Sequence, residues 1–204
     1  MQALIVVDIQ YDFLPGGALA VPQGDKIIPI VNQLMTKNFH LVVATQDWHP
    51  ADHASFAVHY QGKKPGDLIA LDGIPQVLWP VHCVQHSPGA SLSGALRTEK
   101  IHHIFQKGTD PRIDSYSGFF DNGHKKATGL DTFLKGQGIK DVYIVGLAGD
   151  YCVKFTALDA VGLGYGTYVF ADATKGVNLQ PGDLDSSIEE MRAKGVQMIE
   201  SGDF

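Results

Sequence analysis

The chain carries only two cysteines, Cys83 and Cys152, in 204 residues. That is too few for a disulfide scaffold, although one bridge between the pair stays open at this point. It has no run of Lys or Arg, and its formal net charge is -6. A nucleic-acid partner therefore has no electrostatic support. No apolar stretch approaches the ~20 residues of a membrane span, so no membrane partner is expected. Nothing resembles a leader: Met1-Gln2 runs straight into Ala3 to Val7, which Asp8 ends. The expected location is cytoplasmic. No linker, internal repeat or low-complexity tract divides the chain, so one domain is expected over 1–204. With 44% hydrophobic and 19% charged residues, the composition suits one packed core and a small, neutral substrate.

What is present is an alternation of short apolar runs and helical periodicities. Ala3 to Val7, Leu41 to Ala44, His102 to Phe105, Val142 to Gly146, Thr167 to Phe170 and Val196 to Ile199 read as strands. Their continuous apolar character is that of strands buried on both faces. Helices are expected over Lys26 to Met35, around Leu130 to Leu134, over Val153 to Leu163, and over Asp185 to Lys194. Asp185 or Ser186 would cap the last of these. The order implies an α/β fold with a mostly parallel sheet covered on both faces. From roughly Pro50 to Gly94 there is no clear period, and Gly, Pro and His are frequent. A stretch of that length and make-up reads as an ordered functional insertion, at about 47–95.

Polar residues fall at the ends of the strands, where open α/β sheets bind ligands. Asp8 follows the first strand, Asp47 the second, Lys107 the third, and Asp150 and Cys152 the fourth. Cys152 would sit in the first turn of a helix, where free N–H groups and the dipole favour a thiolate and can hold an oxyanion. A buried structural cysteine is the alternative. Asp8 is costly beside an apolar strand unless paired, and Lys107 is the natural counter-charge. Together Asp8, Lys107 and Cys152 make sense as base, cation and nucleophile.

A second cluster is Asp47-Trp48-His49-Pro50 with His82. Asp47 and His49 can point the same way on an extended segment. Two imidazoles and a carboxylate suit zinc, iron(II) or manganese. Nine histidines in the chain leave hydrogen-bonded loop histidines as the alternative. Cys83 reads as structural.

Seven segments, in order and across nearly the whole chain, carry a family likeness. They are Val7-Asp8-Ile9-Gln10-Tyr11-Asp12-Phe13, Gly16 to Val21, Gln46-Asp47-Trp48-His49-Pro50, Trp79 to Val84, Lys107-Gly108, Tyr116-Ser117-Gly118-Phe119, and Gly146 to Val153. They resemble the nicotinamidase/pyrazinamidase family of isochorismatase-like cysteine hydrolases, with the nearest likeness to its bacterial members. The resemblance implies a three-layer fold around a six-stranded parallel sheet. It implies a triad of Asp8, Lys107 and Cys152 that hydrolyses nicotinamide to nicotinate and ammonia through a thioester, acts also on pyrazinamide, and serves NAD salvage. It implies a divalent metal, zinc ahead of iron or manganese, on Asp47, His49 and His82. His53 matches a ligand of some members and is an additional candidate. The Ala148 and Cys152 N–H groups would form the oxyanion hole, next to a cis bond at Leu147-Ala148. Phe13, Leu19, Trp79, Tyr116, Leu147 and Tyr151 would bind the substrate. The expected assembly is a monomer or homodimer.

Two departures stand out. Gly149 replaces a Thr of many relatives, and Tyr151 a His of some, so both are expected to tune specificity. Other small amides or ureido acids, as in N-carbamoyl amidohydrolases, are the nearest competing substrates. Isochorismatases lack the nucleophilic cysteine. A non-haem iron oxygenase would not need Cys152, and a metal-binding or redox-sensing module would turn over no amide.

Overall fold

The computed structural model describes residues 1–204. Along the chain lie β1 (Gln2–Val7), α1 (Ile28–Leu34), β2 (Leu41–Asp47), β3 (Leu68–Leu71), β4 (Ile74–Val77), β5 (His103–Lys107) and α2 (Leu130–Gly136). There follow β6 (Asp141–Leu147), α3 (Cys152–Gly162), β7 (Gly166–Lys175), α4 (Asp183–Ala193) and β8 (Gln197–Ile199). Six strands form one sheet in the order β5-β2-β1-β6-β7-β8. Every pairing in it is parallel, as the apolar strands and the resemblance led us to expect.

Successive side chains on a strand point to opposite faces, so each apolar strand feeds two cores. Leu4, Val6, Val42, Tyr143 and Val145 meet Ile28, Val31 and Leu34 of α1 on one face. Ala3, Ile5, Val7, Val43, Val142 and Ile144 meet residues of α2, α3 and α4, including Leu134, Val153, Ala157 and Met191, on the other. Each large aliphatic side chain buried in this way contributes about 1.5–3 kcal/mol. No helix is long and apolar enough to cross a membrane.

The strand order locates the site. From β1 the chain winds outward to β2 and β5, then crosses back to β6 and winds the other way to β7 and β8. The reversal lies between β1 and β6, and the crevice beyond the carboxyl ends of those strands is where such sheets take ligands. Gly146 permits the closest approach there. It pairs with Val7 at a φ of 123°, and a side chain on it would collide with the Val7 backbone.

Several boundaries differ from those read off hydropathy. β2 runs on to Asp47 and β5 to Lys107, because Gln46–Gln106 and Asp47–Lys107 are register partners. An opposite-charge pair across two strands replaces the apolar signal there. β7 extends to Lys175 rather than stopping at Phe170. The helix expected from Lys26 begins as a 3-10 turn, Gly24–Ile27, and is α-helical only from Ile28, with Pro29 in its first turn. α4 starts at Asp183 behind Gly182, whose φ is 90°, so neither Asp185 nor Ser186 caps it. The aperiodic insertion contains an antiparallel hairpin, β3 with β4, closed by Asp72-Gly73 at φ 49° and 81°. Asp-Gly is the favoured pair for a two-residue turn of that kind and was the overlooked sign.

Candidate active site

At the end of β1 the chain leaves the sheet through Asp8, whose φ is 48°. The Asp8 carboxylate is buried, and its Oδ1 accepts a hydrogen bond from Thr45 Oγ1 at 2.6 Å. Its Oδ2 lies 2.9 Å from Lys107 Nζ. Lys107, at the end of β5, reaches inward and is only 2% exposed. Its ammonium also donates to Asp47 Oδ1 at 3.0 Å, to the Ser115 carbonyl at 2.8 Å and to Cys152 Sγ at 3.4 Å. Cys152 is the first residue of α3, one position earlier than the helix read from hydropathy. The fold thus brings Asp8, Lys107 and Cys152 into one buried network. Both cysteines are free, so no bridge joins them.

Electrostatics sort these groups. Burial pushes the Cys152 thiol well above its usual range, and Lys107 offsets only part of that. Burial thus works against the thiolate that the helix N-terminus favours. Burial also raises the Asp8 pKa against the pull of Lys107, which makes this carboxylate a better proton acceptor. Burial disfavours the Lys107 cation, but Asp47 and Asp8 outweigh it and hold its pKa well above the usual range. The Ala148 and Cys152 N–H groups donate to no other backbone or side-chain group, while the Ala148 carbonyl accepts from Tyr151 and Val153. The Leu147-Ala148 bond is cis.

Asp47, His49 and His82 present one donor atom each, all within 4.8 Å of one another. Their orientation is informative. His49 Nδ1 meets the Gly108 carbonyl at 2.9 Å, and His82 Nδ1 meets the Pro80 carbonyl at 2.8 Å. A carbonyl only accepts, so each Nδ1 carries a proton. Each Nε2 then faces Asp47 Oδ2, at 3.0 and 3.5 Å. Neutral imidazoles would aim lone pairs at a carboxylate, which needs a proton or a cation between them. This donor set, with both rings oriented by carbonyls, fits a divalent metal. Gly108 has a φ of 63°, and a side chain there would run into the His49 ring. Burial would raise the Asp47 pKa, but His49 and Lys107 outweigh it and hold it well below the usual carboxylate range.

The remaining residues divide. Phe13, Leu19, Trp79, Tyr116, Ala148 and Tyr151 line a narrow, mostly apolar cleft with Asp47, His82 and Cys152. Trp79, Tyr116 and Tyr151 pack edge to face as one wall, with centroids 4.8 to 6.4 Å apart. Phe13 stands edge-on to His82 at 5.6 Å. Leu147 does not line the cleft; its side chain is fully buried in the α1-side core, because alternation along β6 turns it inward. His53 is apart from Asp47 and His82 and groups instead with His49 and Asp114. At Gly149 a Cβ would stand 2.6 Å from Leu184 Cδ1, so Leu184 fills the space of a larger residue there.

Sequence reasoning missed Asp114, Val177 and Gln10. Asp114 and Val177 line the cleft. The Gln10 amide, fully buried, accepts from the Asp47 N–H at 2.8 Å and donates to the Asp47 carbonyl at 2.8 Å and the Ala90 carbonyl at 2.7 Å. Its signals were a polar residue three positions beyond a buried strand and its place in the Val7 to Phe13 segment.

Comparison with known proteins shows the family and the fold. The isochorismatase domain model matches residues 2–203. The nicotinamidase of Escherichia coli is 47% identical over 206 residues, spanning 100% of this chain and 96% of that protein. A nicotinamidase–pyrazinamidase structure from Acinetobacter baumanii superposes with a TM-score of 0.96 at 48% identity, covering 99% of this chain and 97% of the other. The pyrazinamidase of Pyrococcus horikoshii, solved in complex with zinc, has a TM-score of 0.78 at 42% identity and covers 98% of each chain.

Proposed function

The chain belongs to the isochorismatase domain family, and on that premise we propose that it is a nicotinamide amidohydrolase with Cys152 as its nucleophile. The observation that carries this reading is the buried contact network of Asp8, Lys107 and Cys152 opening on an aromatic-walled cleft. The curated relatives 34% to 50% identical to this chain over 98–100% of it are nicotinamidases, which supports nicotinamide as substrate and, from the Acinetobacter structure, pyrazinamide as a second. Release of nicotinate would return the ring to pyridine-nucleotide synthesis.

The amide carbon is a poor electrophile, so the residues must supply a strong nucleophile and hold the developing charge. Asp8 takes the Cys152 proton as Sγ attacks the carboxamide carbon. The oxyanion is held by the Ala148 and Cys152 N–H groups, a contribution of about 3 kcal/mol per donor. Lys107 remains protonated and keeps the negative charge of Asp8 and sulfur in place. Asp8 then returns its proton to the departing nitrogen, which leaves as ammonia and a thioester remains. Water attacks the thioester with Asp8 again as base, Asp8 passes that proton to the sulfur, and the acid released loses its remaining proton to solvent to give nicotinate. Asp47, His49 and His82 would hold a divalent cation, zinc by the Pyrococcus neighbour, which would supply Lewis-acid binding for the ring nitrogen. The aromatic wall of Trp79, Tyr116 and Tyr151 and the opposite Phe13 orient the ring.

The test is ammonia release from nicotinamide by the purified protein, beside Cys152→Ala. We expect release by the wild type and a loss on the order of 10⁴-fold or more in the variant, with fold and metal content retained. Turnover near wild type in the variant would remove the covalent mechanism. Silence of the metal-loaded wild type would remove nicotinamide as substrate.

A further inference from the structure

Beside Asp47, His49 and His82 lie two more buried polar side chains, His53 and Asp114. The donor atoms of His49, His53 and Asp114 are also within 4.8 Å of one another. Asp114 lines the same cleft as Asp47 and His82. Its Oδ1 accepts from the Ser115 N–H at 2.8 Å and its Oδ2 from Gln76 Nε2 at 3.0 Å. No Lys or Arg pairs with it, whereas Asp8 and Asp47 share Lys107. A carboxylate 3% exposed with only amide partners is costly unless a cation is near.

Charge counting shows which cation. Three buried carboxylates, Asp8, Asp47 and Asp114, face one buried ammonium, Lys107. Imidazoles that bind a metal are neutral. Two negative charges are therefore uncompensated, and one divalent ion closes the balance. With Asp114 left out, the same ion would leave a net positive charge in the interior. Three protein ligands also leave coordination positions open, and the water filling them needs buried polar partners. Asp114 stands in place for that. So does His53, whose Nε2 lies 3.4 Å from its only partner, the Ile113 carbonyl.

We propose that Asp114 is the outer carboxylate of the metal centre, neutralising the second charge of a divalent cation held by Asp47, His49 and His82. With His53 it anchors the water that completes the coordination. This rests on the metal reading of the site given above.

The test is zinc affinity of the full chain by competition with a chromophoric chelator, together with the rise in Tm when zinc is added to metal-free protein. Asp114→Asn should bind zinc about ten- to a hundredfold more weakly, as loss of an outer partner does elsewhere. Its Tm rise should shrink, while the metal-free variant should be at least as stable as metal-free wild type, since an uncompensated charge is gone. Gln76→Met, which removes the hydrogen bond to Asp114 Oδ2, should weaken zinc by a smaller factor. Equal zinc affinity in wild type and Asp114→Asn overturns the proposal and leaves the three-ligand centre standing. Absence of zinc binding by the wild type overturns both. Should Asp114→Asn fail to fold, unchanged affinity in Gln76→Met overturns the proposal.

Discussion

Asp8, Lys107 and Cys152 stand at strand ends or in the first turn of a helix, whereas His49, His53 and His82 sit on irregular backbone. The first group inherits its position from the parallel ladder of β1, β2, β5 and β6. The second is held by individual bonds. Asp12 Oδ2 accepts the Cys83 N–H at 2.7 Å, the Cys83 carbonyl accepts the His49 N–H at 2.9 Å, and the Gly108 carbonyl fixes the His49 ring. A ladder loses little when one bond is cut, but an irregular loop can lose its geometry. Asp47 joins the two halves, with Oδ1 on Lys107 and Oδ2 toward the histidines.

The comparison breaks most sharply at that joint. Asp47→Asn should lose zinc and also cut turnover by about 10²-fold or more, because Lys107 loses a partner. In metal-free protein the same change should speed alkylation of Cys152 by iodoacetamide, since the Asp47 charge is one of the causes holding the thiol pKa up. His49→Ala should lose zinc with little change in alkylation rate. If the two variants alkylate alike, Asp47 does not couple the halves.

Gln10→Leu is the next smaller effect. It strips three hydrogen bonds from a buried site and takes partners from the Asp47 N–H and the Asp47 carbonyl, while the Ala90 carbonyl keeps its bond from Gln46 Nε2. A loss of about 3 kcal/mol in unfolding free energy is expected, with weaker zinc binding as Asp47 loosens. Denaturant titration and chelator competition on the same sample would show both, and a drop in stability alone would make Gln10 purely structural.

His53 offers the most local test, confined to one side chain and one pH window. Burial pushes its pKa down to about 4. The unfolded chain, with an ordinary histidine pKa near 6.5, takes up a proton that the fold refuses. Stability contributed this way is present above that pH and falls as pH drops toward 4, by on the order of 1.4 kcal/mol per unit. His53→Gln keeps a partner for Ser55 and should flatten the metal-free stability profile between pH 6.5 and 4. An unchanged slope would assign the acid sensitivity to other groups.

Much of this was legible beforehand. Strands such as Ala3 to Val7 are readable because a strand buried on both faces must be apolar throughout. Asp8, Lys107 and Cys152 were readable because polar residues at the ends of such strands are conspicuous. The hairpin at Leu68 to Val77 was missed because both strands are only four residues long and mostly outside the buried core. Leu147 was placed in the cleft by its neighbours in the motif, but strand alternation sends its side chain the other way.

By itself the amino-acid sequence determined the alternating α/β order, the family and the residue types gathered at the strand ends, since periodicity and local motifs are properties of the chain alone. Only the tertiary structure decided that one Asp47 carboxylate serves both Lys107 and the histidines. It also decided that Asp114, sixty-one residues from His53 in order, stands beside it in space. Such sharing depends on distances across strands and loops, and neither hydrophobic period nor residue type encodes those distances locally.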